Sequence, residues 1–256
     1  MTKPNTQRST ATNPKINSIH TMHMSFNTKV RLAGILYLLI AVCGGFAFFA
    51  GYEAVLVPND PTATALAIQD NEFVFRMGIV GDALLVIAEL ILTLLLFQIF
   101  KPINATLSAI AAVARFAMTG LIAANILNKL IVLYLLTNAT HLLAFNADQL
   151  NTLAMLFLTS YGLGSLIWSV LFGLHLCLIG YLILRSNILP KVLGWLLLLA
   201  SSAYFIDSFG RFIAPEYGEI YSVIILLSVP AELSLAFWLL IKGIPIALYP
   251  RGHIID

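Results

Sequence analysis

Apolar residues in this chain neither alternate nor mark one face of a helix; they run on. Six windows, 32–51, 77–100, 107–136, 153–184, 192–209 and 220–241, are apolar almost throughout and are joined by shorter polar connections. A helix rises ~1.5 Å per residue, so ~20 apolar residues cross a ~30 Å hydrocarbon layer. Each window meets or approaches that length. Continuous apolarity predicts helices, because the strands of a membrane barrel alternate apolar and polar positions. The third and fourth windows are longer than needed, which predicts tilt or extension beyond the lipid. The fifth is the shortest and ends in polar residues. The fold class read from this pattern is all-α, a polytopic bundle of six transmembrane helices.

The polar segments organise the rest. Residues 1–29 are rich in Asn and Thr and carry Lys3, Arg8, Lys15 and Lys29 without an acidic residue, which predicts a disordered polar tail. The first apolar run begins too late and is too long for a signal peptide. Residues 30–242 make up the transmembrane domain, and 243–256 a second short tail. Within 58–72, Asp60 followed by Pro61 predicts the N-cap and first turn of a short helix between the first two spans. Tyr52, Tyr134, Trp195, Tyr217 and Tyr249, at span ends, read as interfacial anchors.

Charge gives the orientation. One set of connections, with the N-terminal segment, holds 10 of the 14 Lys and Arg residues and a single acid, Asp256. The opposite loops hold Glu53, Asp60, Asp70, Glu72, Asp148, Glu216 and Glu219. The positive-inside rule therefore predicts both termini in the cytoplasm. Composition agrees with the class: 60% of residues are hydrophobic, only 10% are charged, and mean hydropathy is +0.93. So few charges could not cover so apolar an interior in water, which excludes a cytosolic enzyme, a secreted domain and a disordered regulator. A net charge of +2 offers no basic field for nucleic acid, so the partner implied is the lipid bilayer. Cys43 and Cys177 both lie in apolar runs and predict neither a disulfide framework nor a thiolate metal site.

Ionisable groups inside the spans carry the candidate chemistry, since each costs ~2.5–3.5 kcal/mol to insert and needs a partner or a purpose. Counted from the basic end, Glu89, Arg115, His175 and Glu232 fall in one layer near the bilayer midplane, on four different helices. Glu89 and Arg115 each lie roughly 17 Å in. A second layer lies nearer the acidic face: Arg76, Asp82, Asn125, Lys129, Asp207 and Arg211. Asp82 precedes Glu89 by seven residues and so shares its helical face to within about 20°. These positions predict that spans two and three pair through Glu89–Arg115 and, above it, through Asp82 with Asn125 or Lys129. Acid–base pairs of this kind can simply fix helix register. They can also line a polar midplane site for a proton, an ion or a small polar solute, and Arg76 and Arg211 can snorkel to the interface.

Other chemistries find less support. Glu89, Glu232 and His175 are three mixed ligands of the kind zinc or iron takes, but no HExxH-like spacing accompanies them, and no metal is predicted. His20, His23, His141 and His253 lie outside the spans, so intramembrane bis-histidine haem ligation is disfavoured and no cofactor is predicted. Ser165, Ser201, Ser202 and Ser208 lack a nucleophile elbow. Asn104-Ala105-Thr106 and Asn138-Ala139-Thr140 match a glycosylation triplet, a short pattern common by chance. Gly162-Leu163-Gly164 is mid-helix rather than a phosphate loop, and Pro230 predicts a kink in the sixth span close to Glu232.

Several stretches resemble a family of bacterial integral membrane proteins, domain of unknown function 4386. Arg31-Leu32-Ala33-Gly34-Ile35-Leu36-Tyr37 looks like its first helix, and Phe75-Arg76-Met77-Gly78-Ile79 with Asp82 like its second. The densest similarity runs from Phe172-Gly173-Leu174-His175 through Gly180-Tyr181, Ser186, Leu189-Pro190 and Leu193-Gly194 to Tyr204, Asp207 and Ser208. It covers roughly residues 30–242 and leaves out the polar tail. The resemblance implies a multi-pass protein of the bacterial inner membrane, and it carries no activity with it. The functional expectation is a non-enzymatic membrane protein whose midplane cluster binds or passes a proton or small solute. An intramembrane metal-dependent or redox enzyme and a structural subunit without substrate are the alternatives.

Overall fold

The computed structural model describes residues 24–137, 142–245 and 249. It is an all-α, polytopic membrane protein. Among the described residues, six helical segments are long and apolar enough to cross a bilayer: Phe26–Glu53, Glu72–Phe100, Ala105–Thr137, Ala147–Arg185, Lys191–Ile213 and Pro215–Lys242. Much of what the sequence assigned to 1–23, 138–141 and 250–256, including His20, His23, His141, His253 and the Asn138 triplet, lies outside the described residues.

The first span is helix α1 (Phe26–Phe48) closed by a π turn at Phe49–Glu53. It starts inside the segment read as tail. Ser25 caps it, accepting the Thr28 N–H at 3.3 Å, and Phe26 packs against Tyr249, the rings tilted by 47° with centroids 4.3 Å apart. Helix α2 (Pro61–Asp70) is the short helix announced by Asp60-Pro61, and the Asp60 carboxylate accepts the Ala63 N–H at 2.9 Å. The proline ring fixes φ and its missing N–H is one the first turn would leave unbonded anyway. Helices α3 (Glu72–Phe100) and α4 (Ala105–Thr137) follow. Asn104 accepts the Leu107 N–H at 2.9 Å, so the first of the two glycosylation-like triplets begins at a helix cap.

Helix α5 (Ala147–Arg185) is 39 residues long. It starts before its apolar window because Asn146 and Gln149 form a capping box, each side chain bonding the other's backbone N–H at 2.9 Å. At ~1.5 Å per residue it outruns a ~30 Å core by several turns. Helix α6 (Lys191–Ile213) leads through a 3-10 turn at Pro215–Tyr217 into α7 (Gly218–Ile225) and α8 (Ser228–Phe237), which ends in a second π turn, Trp238–Lys242. The sixth span is therefore broken, not merely kinked. Pro230 has no N–H for the Leu226 carbonyl and its ring crowds that carbonyl. Leu226, Leu227 and Val229 bond three residues back instead, to Val223, Ile224 and Leu226.

Packing closes a ring. Each span lies against its neighbour in the chain, α1 on α3, α3 on α4, α4 on α5, α5 on α6 and α6 on α7 and α8; α8 and its π turn return to α1. Because the hydrophobic effect does not drive helices together in lipid, close backbone approach matters more than apolar area. Gly51 and Gly78 provide it between α3 and the end of the first span: a Cβ on either would sit 2.9 Å from the other's Cα. Gly180 and Gly194 do the same for α5 and α6, each Cβ falling 2.9 Å from the other's carbonyl oxygen. Gly51→Val is expected to lower the thermal unfolding midpoint in detergent, at a cost of about 1–3 kcal/mol for overpacking. An unchanged midpoint would show that this contact is slack.

Tyr249 is no interfacial anchor. It is 4% exposed, and its hydroxyl donates to the carbonyls of Gln98 (3.1 Å) and Ile99 (3.0 Å). Those two carbonyls need a donor because Pro102 has no N–H to give Gln98, and the Ile103 N–H goes to Phe100. Tyr249 thus ties onto the end of α3, and burial pushes its phenol up to about 12.

Candidate functional site

Two apolar cores divide the bundle along its length. One, at the acidic end, gathers Tyr52, Ile68, Phe75, Val132 and Leu158; the larger occupies the rest, from Tyr37, Ala88 and Met118 to Leu197 and Leu235. The buried charges lie at the junction of these cores and within the larger one.

At the junction, the Lys129 ammonium donates to Asp82 Oδ2 at 2.8 Å and to the Ala47 carbonyl at 3.0 Å, and it sits 4.0 Å above the Tyr161 ring. Tyr161 also donates its hydroxyl to the Asp82 carboxylate at 3.3 Å. This one group of side chains joins α1, α3, α4 and α5. Of the two partners the sequence offered Asp82, the structure selects Lys129. Asn125 turns to α5, donating to the Tyr161 carbonyl at 2.8 Å and accepting from Asn128 at 2.7 Å. Gly162 leaves the room that the Tyr52 hydroxyl occupies beside it, which buries Tyr52 against Tyr161 and removes it from the interfacial anchors.

The remaining members of the expected outer layer stand apart from it. Arg76 is exposed and pairs with Glu72, one turn earlier on the same helix. Arg211 Nε donates to Asp207 at 2.8 Å, and its Nη2 reaches the Gly218 carbonyl (3.0 Å) and Ser222 Oγ (2.7 Å). That pair fastens α6 to α7.

Deeper in, Arg115 is the hub. Its Nε lies 2.7 Å from Glu89 Oε2, both side chains 1% exposed. The contact is an ion pair without hydrogen-bond alignment, since neither of these two atoms has a hydrogen-bond partner. Nη1 reaches His175 Nε2 at 3.0 Å and the Tyr37 hydroxyl at 3.4 Å. The guanidinium lies 5.0 Å from the Tyr37 ring centroid and 5.6 Å from that of Phe172. His175 Nδ1 is 2.9 Å from the Ala111 carbonyl. A carbonyl only accepts and a guanidinium only donates, so Nδ1 carries the proton and Nε2 the lone pair: the imidazole is neutral.

Glu232 completes the layer. Tyr204 donates to its Oε1 at 2.8 Å, and Ser228 Oγ lies 3.4 Å from the Tyr204 hydroxyl. Tyr204 packs edge-on against Phe172, ring centroids 5.0 Å apart, and Phe172 in turn flanks the Arg115 guanidinium, whose ion pair is with Glu89. The four midplane residues read from the sequence thus gather in one region, joined by Tyr37 and Tyr204, so every span of the ring contributes a polar side chain. Tyr37, Tyr161 and Tyr204 were the members missed. A signal existed on α5, where Tyr161, Trp168 and His175 recur every seven residues and so stay within about 40° of one face.

The arrangement speaks against metal ligation by Glu89, His175 and Glu232. Both imidazole nitrogens are committed, Glu89 is held by Arg115, and among the described residues no group of three or more His, Cys, Asp or Glu is placed to hold a metal ion. Ser165, Ser201, Ser202 and Ser208 all donate to backbone carbonyls, so none stands activated by a base.

No solved structure matches the chain. An uncharacterised protein of Archaeoglobus fulgidus is 42% identical over 76 residues, 29% of this chain and 43% of that protein, so the match spans less than half of the relative's length. The family model described as Domain of unknown function (DUF4386) matches residues 32–243, nearly the whole helical bundle, and the chain belongs to that family.

Proposed function

We propose that this is a non-enzymatic protein of the bacterial inner membrane that binds a proton at Glu232 and passes it through the polar midplane cluster. One observation carries the reading: Glu232 is the surplus carboxylate of the cluster. Glu89 and Arg115 cancel, Asp82 and Lys129 cancel, and His175 is neutral by its hydrogen bonds. The charge of the buried layer then depends on whether Glu232 carries its proton, and a net charge at that depth is costly. Glu232 is also partly exposed, whereas Glu89, Arg115 and His175 are each 1% exposed. It sits on α8, just past the break at Leu226–Leu227, and irregular backbone at membrane depth is a feature of cavities and ion paths. Its contact Tyr204 provides a hydroxyl able to donate and accept in turn.

The two closed pairs favour a structural role for themselves, as fasteners between helices. That role does not extend to Glu232, whose hydrogen bond comes from a hydroxyl rather than a cation. The concentration of basic residues at one end supports a cytoplasmic location for that end.

The test is proton flux in proteoliposomes driven by a potassium diffusion potential and read with an internal pH dye. Wild type is expected to acidify the lumen, and Glu232→Gln to fall to the rate of protein-free liposomes. Equal flux in the variant, or no flux above protein-free liposomes in wild type, would overturn the proposal.

A further inference from the structure

A groove runs along the outside of the bundle at its basic end, between α6 and the sixth span. Leu193 and Leu196 form one wall, Phe237, Trp238 and Ile241 the other, and Lys242 closes it. Lys242 also belongs to a second, more polar hollow, shared with Asn27 and Arg31 of the first helix and with Gly243–Pro245. Gly243, at φ +68°, turns the chain beneath that hollow. Arg31 and Lys242 are both exposed, and among the described residues neither forms an ion pair.

We propose that these two hollows are one binding site for an anionic phospholipid, with the phosphate between Arg31 and Lys242 and one acyl chain in the α6–α8 groove. The charge pattern argues for this occupant. Two cations that have no counter-ion among the described residues stand at the end of an apolar channel, at the level where a span of this length leaves the hydrocarbon. Lys242 lines both hollows, and a lysine at such a boundary lays its stem on apolar surface while its ammonium stays at the polar end. A free phosphate would fill the polar hollow and leave the groove empty; a lipid fills both. The site also lies at the seam of the ring. One turn deeper, a Cβ on Gly34 would meet the backbone at Ala236 and Leu240 at 2.8 and 2.6 Å, so the first helix and the last segment touch there. A lipid held by Arg31 and Lys242 bridges the same two segments.

The experiment uses the full chain with Trp168→Phe and Trp195→Phe, which leaves Trp238, in the groove wall, as the remaining indole of three. Its fluorescence is quenched by phospholipid brominated on the acyl chains, titrated into neutral bilayers. Brominated phosphatidylglycerol is expected to associate roughly thirtyfold more tightly than brominated phosphatidylcholine, from two basic groups near the headgroup. Arg31→Gln with Lys242→Gln should erase that preference and leave quenching by phosphatidylcholine as it was. Equal association of the two lipids in the parent, or an undiminished preference in the double variant, would overturn the site.

Discussion

Arg115→Met is expected to destabilise the bundle by about 3–5 kcal/mol, the cost of stranding one member of a buried ion pair. Methionine keeps most of the volume and none of the donors. Glu89 would remain 1% exposed with its cation gone, His175 Nε2 would lose its donor at 3.0 Å, and Tyr37 and Phe172 would lose the guanidinium between them. Helices that separate in the membrane stay inserted, and a dissociated α3 lets Glu89 find water or headgroups, so the penalty falls on the assembled state. Adding Glu89→Leu should recover only part of the loss, because the imidazole lone pair stays unsatisfied at about 1–3 kcal/mol. Reversible unfolding in mixed detergent micelles measures both variants. A cost for Arg115→Met below about 1 kcal/mol, the range of an exposed pair, would mean that the site is wet.

Lys129→Met should cost about as much, roughly 3–5 kcal/mol, and its rescue should be more complete. Lys129 is 0% exposed and holds Asp82, itself 3% exposed, together with the Ala47 carbonyl. Without it the carboxylate keeps, among the described residues, only the Tyr161 hydroxyl at 3.3 Å. Replacing both partners, Asp82→Leu with Lys129→Met, removes both charges at once, and a well-packed apolar pair is often as stable as a buried ion pair. The double variant is expected to unfold near wild type in the same assay. Failure of that recovery would show that Tyr161 and the Ala47 carbonyl, rather than the charge pair, carry most of the energy.

These two pairs were legible in the sequence because charge in an apolar run has few explanations and helical depth can be counted. Seven residues separate Asp82 from Glu89, and a matching face on α4 carries Arg115 and Lys129. The choice between Asn125 and Lys129 was not legible, since both lie on that face and only the position of α5 draws Asn125 to the Tyr161 carbonyl. Tyrosines were misread more often than any other residue. In an apolar run a tyrosine passes as hydrocarbon, and near a span end it passes as an anchor. Tyr52 and Tyr249 are buried by tertiary contacts that no local pattern announces, while Tyr134 and Tyr217 remain exposed. Pro230 announced an irregularity, but a proline specifies only which bond is lost, and the resulting break at Leu226–Leu227 depends on how the neighbouring turn rebonds.

The most direct test of proton binding at Glu232 is labelling with a membrane-soluble carbodiimide, which adds to protonated carboxyl groups, followed by mass spectrometry of the peptides. Modification is expected at Glu232, fading as pH is raised, and none at Asp82 or Glu89, whose carboxylates are held by Lys129 and Arg115. Labelling that spares Glu232 at every pH, or that falls on Glu89 instead, would contradict it.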